Sequence, residues 1–268
     1  MGIAVEISKD WQASLAALAW QVDLGVTEVI GEAPLNRYDL PEAAKPQPRV
    51  APQPLAAPPV VQAMVQAAED PVVAAQSAAN AAATLADLRA ALGAFEQCEL
   101  KKGARNLVFG DGNPNARVLI LTEAPGVEED REGRPFVGAA GLLLDRMFAA
   151  IGLSRGSEDP AAAAYITPVL PWRTPQDRAP ELDEIAMMRP FVARHIALVD
   201  PDVIVVMGNA PLQSLLNASG IARARGQWGQ ALGKPVLPMT HPGYLLRTPA
   251  AKRDAWADLL ALQARLRG

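Results

Sequence analysis

Two short loops carry the side chains of this sequence best suited to chemistry. The first reads Thr122-Glu123-Ala124-Pro125-Gly126 and is followed by Gly133-Arg134-Pro135-Phe136-Val137-Gly138. It offers a carboxylate and, a few residues on, an aromatic ring in a glycine-bounded turn. The second reads Thr240-His241-Pro242-Gly243-Tyr244-Leu245-Leu246-Arg247. It offers an imidazole, an apolar tip and a guanidinium. A carboxylate can position water, and an imidazole can donate to an oxyanion as it develops. Each loop directly follows a short apolar run, Val118-Leu119-Ile120-Leu121 or Pro235-Val236-Leu237-Pro238-Met239, that reads as a buried parallel strand. Ligands of an open α/β sheet bind outside the carboxyl ends of its strands. The two loops are therefore expected to share one cleft.

The elements that would position them follow from periodicity. Strands are expected at 118–123, 165–170, 203–208 and 235–240 as continuous apolar runs. Helices are expected at 139–151, with Leu143, Met147 and Ile151 on one stripe, at 181–199, after Gly208, and over about 250–266. Continuous apolar strands alternating with helices predict a parallel sheet covered on both faces. The expected fold is α/β: three layers, α/β/α, around a central, mainly parallel four-stranded sheet, with a disordered N-terminal extension. Residues 8–23 place Trp11, Leu15, Leu18, Ala19 and Val22 at helical spacing, and residues 1–40 form an N-terminal helical segment. Residues 41–82 are rich in Pro, Ala and Gln and read as an extended linker, because proline fixes φ and removes a donor. The alanine-rich part, about 60–92, has helical character as well. The globular domain is expected over 83–268.

Composition sets limits. The net charge is −4, but residues 1–82 carry four Lys/Arg against nine Asp/Glu, whereas residues 83–268 carry 21 against 20. The C-terminal part is nearly neutral, so a nucleic-acid partner needs a local basic groove rather than bulk charge. Cys98 is the only cysteine. It excludes an intramolecular disulfide and any all-cysteine metal site, and it suits a reducing cytoplasm. The N-terminus shows no signal-peptide pattern, and no apolar run approaches the ~20 residues that span a bilayer, so no membrane role is expected.

Taken together and in order, several blocks resemble the uracil-DNA glycosylase superfamily, and most closely its family 4. They are Cys98-Glu99-Leu100, Val108 through Pro114, Glu123-Ala124-Pro125-Gly126 with Glu129-Asp130, Gly133 through Gly138, Arg173 with Pro175 and Arg178, and His241-Pro242 with Leu245-Leu246-Arg247. The match covers roughly residues 88–267. The resemblance implies a base flipped into a pocket, with Phe136 stacking on it and Ala124 lining it. It implies that Glu123 holds the attacking water, that His241 stabilises charge on the departing base, and that Leu245, Leu246 and Arg247 meet DNA. Plainer roles stand beside these: a core ring for Phe136, a helix-capping carboxylate for Glu123, helix-start core for Leu245 and Leu246. Glu128, Glu129 and Asp130 are expected to face solvent, and His195, inside a helix, to be structural or solvent-facing.

The sequence departs from that family in two places. Family 4 holds a [4Fe–4S] cluster on four cysteines. Here the matching positions are Phe95, Cys98, Trp172 and Met188, so no cluster and no metal are expected. The family reads uracil with an asparagine where this chain has Pro168, which has neither an amide side chain nor a backbone N–H. Thr122 also stands where the family has glycine. The leading expectation is a cofactor-free DNA glycosylase acting on uracil or a related damaged base. The alternative is a glycosylase fold with weakened catalysis that binds DNA or a repair partner. A third, an unrelated α/β enzyme binding phosphate on the first loop, is disfavoured by the loop's few glycines. A cytoplasmic monomer is expected, with DNA as partner and a protein partner docking on the N-terminal segment.

Overall fold

The computed structural model describes residues 70–268 together with residues 15, 16, 19 and 20. Leu15, Ala16, Ala19 and Trp20, within the helix expected over 8–23, are helical and exposed. The rest of the N-terminal segment, its expected disorder, and residues 41–69 of the expected linker lie outside the described residues.

Four parallel strands form the centre: β2 (Val118–Thr122), β3 (Ala164–Pro168), β4 (Val203–Met207) and β6 (Lys234–Met239). Every residue of β2, β3 and β4 is buried. A strand covered on both faces has no polar side to show, which explains the uninterrupted apolar runs. Among the described residues the sheet has six strands rather than the expected four. Short antiparallel strands, β1 (Asp111–Gly112) beside β3 and β5 (Gly229–Ala231) beside β6, close its edges, giving the order β1-β3-β2-β4-β6-β5.

Successive residues of a strand point to opposite faces, and the two cores divide accordingly. Leu119 and Leu121 of β2, with Ile204 and Val206 of β4, pack under α1 (Pro71–Ala81), α2 (Leu85–Ala94), α6 (Leu182–Val199) and α7 (Asn209–Leu216). Val118 and Ile120, with Val203, Val205 and Met207, pack against α5 (Gly138–Ala149) and α10 (Lys252–Arg267). Shorter helices complete the chain: α3 (Leu100–Gly103), α4 (Val127–Glu132), α8 (Ile221–Ala224) and α9 (Pro242–Arg247). From β2 the chain moves to β3 on one side, then to β4 on the other. The reversal lies between β2 and β4, which is where ligands of doubly wound sheets bind.

The expected domain boundary at residue 83 needs correction. Helix α1, within the expected linker, is part of the domain: Ala75, Ala79 and Ala82 are buried in the core. Asp70 caps the helix by accepting from the Val72 N–H at 2.9 Å, and Pro71 sits in its first turn, where its missing N–H costs nothing. Arg194 of α6 donates two hydrogen bonds to the Ala82 carbonyl, at 2.6 and 2.8 Å. The alanines that resemble low-complexity linker are small because α1 packs closely on α6.

A fragment of residues 83–268 should therefore melt at least ~5 °C below a fragment of residues 70–268, since ~1 kcal/mol moves the midpoint by 2–4 °C at this size. Equal melting temperatures in parallel calorimetric scans would mean that α1 contributes nothing.

Candidate active site

The carboxyl ends of β2, β4 and β6 bring the two chemical loops together. Glu123 is the first residue past β2. Because Thr122 is in register with Met207, its side chain reaches the turn after β4. There Glu123 Oε1 accepts from the backbone N–H groups of Asn209 at 2.5 Å and Ala210 at 3.3 Å, the first turn of α7. Helix N-termini favour negative charge. The carboxyl is nonetheless held above its usual pKa, because burial outweighs the two N–H bonds that pull it down. The helix-capping role is thus real, and Oε2 has no partner among the described residues. Gly208 makes the approach possible. Its φ is +122°, and a Cβ there would lie 2.1 Å from Oε1.

His241 follows β6 and caps α9. Its Nδ1 accepts from the Gly243 N–H at 3.1 Å. That bond makes Nδ1 the unprotonated nitrogen and leaves the ring proton on Nε2. Burial, and then the charge of Arg247, lower the His241 pKa to about 4. The imidazole is therefore neutral at pH 7, with an Nε2–H to donate. The second histidine is buried in the core: His195 hydrogen-bonds the Tyr165 hydroxyl at 2.9 Å, stacks on Phe109, and has a pKa lowered by burial to about 3. Unfolded histidines protonate near pH 6.5 and these do not, so both cost stability as pH falls from there towards 3–4.

Phe136 stacks on His241, with ring centroids 5.0 Å apart and planes at 24°. It is buried and has a φ of 51°, a left-handed conformation that a non-glycine residue adopts at a cost of ~1–3 kcal/mol. Three contacts hold it. Arg155 donates to the carbonyls of Pro135 (3.1 Å) and Phe136 (3.0 Å). Gly141 leaves room for the Phe136 carbonyl, which a Cβ there would meet at 1.9 Å. Glu129 accepts from the Gly126 N–H at 2.6 Å and from the Phe136 N–H, joining the two halves of the first loop. Glu129 and Asp130, expected in solvent, thus bind the backbone. Asp130 is buried and accepts from the N–H groups of Arg105 and Asn106. Glu128 is exposed.

Two cavities meet at Glu123. The larger, about 500 Å³, is lined by Ala124, Pro125 and Gly126 on one side and Asn209, Ala210 and Gln213 on the other. The smaller, about 320 Å³, contains Glu123, Asn209, Thr240, His241 and Tyr244. Glu123 and His241 therefore share one cleft. Phe136 backs it through His241 without lining either cavity. Pro168 ends β3, is buried, and lines a separate cavity of about 20 Å³ with Phe109, Thr167 and His195. Its register partner is Thr122, next to Glu123, but it lines neither of the cavities that meet at Glu123.

The expected DNA-facing tip is divided by helix geometry. Leu245, expected to face DNA, is fully buried, whereas Leu246 and Tyr244 are 43% and 45% exposed and Arg247 is exposed. On α9 the 245 position faces inward and the 244, 246 and 247 positions face out. The sequence reading missed Gly208, Asn209 and Arg155. A glycine–asparagine pair at a strand end was the available signal for the first two.

The four family-4 cluster positions lie in one apolar core. Phe95, Cys98, Trp172 and Met188 are all buried there, and Phe95 packs edge-on to Phe191 at 5.3 Å. Burial pushes the Cys98 thiol pKa up. One thiol among two aromatics and a thioether does not fit a four-thiolate cluster.

Comparison with known proteins agrees with this geometry. The model of the uracil DNA glycosylase superfamily matches residues 109–260. A type-4 uracil-DNA glycosylase of Thermotoga maritima is 39% identical over 153 residues, covering 56% of this chain and 77% of the relative. One of Archaeoglobus fulgidus is 36% identical over 173 residues, 60% of this chain and 83% of the relative. One of Sulfurisphaera tokodaii is 36% identical over 168 residues, 59% and 74%.

Gly208→Ala tests the construction of the cleft. The added methyl must displace the Glu123 carboxylate from α7 and occupy a strained φ, a combined loss of ~2–4 kcal/mol. Denaturant unfolding should report that loss. A variant as stable as the parent would mean that the Glu123–α7 bonds are unimportant.

Proposed function

The chain belongs to the uracil DNA glycosylase superfamily, and from that premise we propose that it is a DNA repair glycosylase. It is a hydrolase that cuts the N-glycosidic bond of uracil, or of a related damaged base, in DNA. One observation carries the proposal: a single cleft holds the Glu123 carboxylate and a neutral His241 whose Nε2–H has no partner among the described residues.

The chemistry follows from those two groups. A base in a duplex must leave the stack before its glycosidic bond can be reached. As the C1′–N bond breaks, positive charge builds on the sugar and negative charge on the base. Glu123, with Oε1 fixed on α7 and Oε2 open, stabilises the sugar cation and orients water. Its raised pKa suits it to take the proton that water loses. The water oxygen bonds to C1′ as the C1′–N bond breaks, the departing base anion takes up a proton at nitrogen from solvent, and Glu123 returns the proton it took from water to solvent. His241 Nε2–H donates to a carbonyl oxygen of the departing base. A neutral donor serves here, because a preorganised hydrogen bond stabilises the new anion without reorganisation. Phe136 holds the imidazole from behind. Leu246 fills the space the base vacates, and Arg247 meets phosphate.

We further propose that the enzyme works without a cluster, since only Cys98 can supply a thiolate. The same proposal takes the protein as a monomer. A cytoplasmic setting and a docking role for residues 1–40 belong to the same proposal. Among the described residues, no helix is long and apolar enough to cross a membrane. A second reading, DNA binding with weakened catalysis, is favoured by one feature: β3 ends in Pro168, which carries no amide and lines neither cavity of the cleft.

Single-turnover assays on an oligonucleotide with one uracil test the proposal. His241→Ala should lower the rate by ~10²–10³-fold, and Glu123→Ala should lower it comparably, with DNA affinity nearly unchanged. The parent rate should fall with pH once Glu123, whose pKa burial raises, takes up a proton, while the ratio of parent to His241→Ala rates should hold until the ring protonates near its pKa of about 4 and loses the Gly243 N–H bond that orients it. No excision by the parent chain would hand the case to the second reading.

The cofactor proposal has a separate test. Protein purified without oxygen should carry no stoichiometric iron or acid-labile sulfide. Trp172→Ala should destabilise the fold by ~3–5 kcal/mol, as for a buried aromatic. Stoichiometric iron would refute the proposal.

A further inference from the structure

We propose that Asn209 reads the flipped base: its side-chain Nδ2 donates to a ring carbonyl oxygen and so selects uracil over cytosine. This inference rests on the glycosylase reading above and names the residue that gives it specificity.

Four observations lead there. First, the amide is locked. Asn209 Oδ1 accepts from the backbone N–H groups of Gly220 at 3.2 Å and Ile221 at 2.9 Å. Two N–H donors can face only the oxygen, so chemistry fixes which end is nitrogen. Second, Nδ2 has no partner among the described residues, and Asn209 is exposed at the cleft. Third, Asn209 and Glu123 are the two residues that line both cavities, so the amide stands where the cavities join. Its own backbone N–H holds Glu123 Oε1 at 2.5 Å. Donor and catalytic carboxylate are thus positioned by one residue. Fourth, Asn209 supplies the only amide among the side chains lining the cavity that holds His241.

A locked amide donor satisfies a carbonyl oxygen and cannot satisfy an exocyclic amino group. His241 Nε2–H is a second donor in the same cavity. Two fixed donors suit a base with two carbonyls, such as uracil. Cytosine offers an amino group in place of one of them and would leave a donor unpaired. A site built on such a bond rejects the analogue that cannot make it. The end of β3 offers no competing reader, since Pro168 faces another cavity.

The test uses the full chain with Asn209→Asp and Asn209→Ala. Aspartate keeps an oxygen for the Gly220 and Ile221 N–H groups but turns the cleft-facing donor into an acceptor. Alanine removes both functions. Each variant is assayed for single-turnover excision of uracil. Each is also assayed for binding to uncleavable oligonucleotides that carry 2′-fluoro-2′-deoxyuridine or 2′-fluoro-2′-deoxycytidine. Both variants should excise uracil ~100-fold more slowly and lose the preference for the uracil analogue, while melting within a few degrees of the parent.

Rescue by aspartate to the parent rate and preference would show that the amide only braces the 220–221 turn, and would overturn the inference. Equal weakening on both analogues would assign Nδ2 to a phosphate oxygen and overturn it as well. A parent that excises nothing, yet prefers the uracil analogue in a manner lost in Asn209→Asp, would sustain the inference and defeat the glycosylase reading. A parent with neither property defeats both.

Discussion

The bond between Glu123 and the first turn of α7 is the constraint on which the cleft depends. It ties the end of β2 to the end of β4 across the point where strand order reverses. Hydrogen bonds to a charged group are worth roughly 1.5–3 kcal/mol. Here they compete with burial, and burial prevails, because the Glu123 pKa is raised. That balance matters chemically. A fully compensated carboxylate would be a poor proton acceptor, and an uncompensated one would not stay in the cleft. Gly208 sets the distance by having no Cβ.

A second constraint opposes the first from across the cleft. Phe136 is held in a left-handed conformation, and its ring stacks on His241. The strain is borne by Arg155, which is itself fixed by Asp111 (3.0 Å) and Asp145 (2.8 Å). The imidazole is thus oriented by stacking on one side and by the Gly243 N–H at its edge. Its proton can occupy only Nε2. Charges far apart in sequence, at 111, 145 and 155, decide where one hydrogen points.

Much of this was legible in the residues. The four central strands are continuous apolar runs because both faces are covered, and the loops after β2 and β6 carry their chemistry in adjacent letters. What was not legible has physical reasons. Strands of two and three residues, such as β1 and β5, contain glycine and polar residues and have no period to detect. The helical character of α1 is legible in its alanine-rich run, but its place in the domain is not, because alanines that pack closely on α6 have the same composition as a linker. Leu245 and Leu246 are identical letters, and only the turn of α9 separates a core residue from an exposed one. The Asn209 amide shows nothing of its bonding in the local sequence, because its side-chain oxygen is bound by residues eleven and twelve positions further on. Hydrogen bonds to residues 220 and 221 leave no trace in a local pattern.

The apolar core around Cys98 gives the cluster-free reading proposed above a physical basis. A cluster pins distant segments through covalent ligation, and its loss must be offset by other contacts between the same segments. Phe95, Trp172, Met188 and Phe191 come from the end of α2, the loop after β3, and α6, and they meet in one buried group. Burying a large side chain contributes ~1.5–3 kcal/mol, so several together can match a crosslink in holding those segments. The loop that carries Trp172 continues into Thr174 and Arg178, which line the larger cavity beside Glu123. Arg178 is anchored in turn by two hydrogen bonds to Glu184 of α6 (2.6 and 2.9 Å). The packing around Cys98 therefore continues, through one loop, into the wall of the cleft.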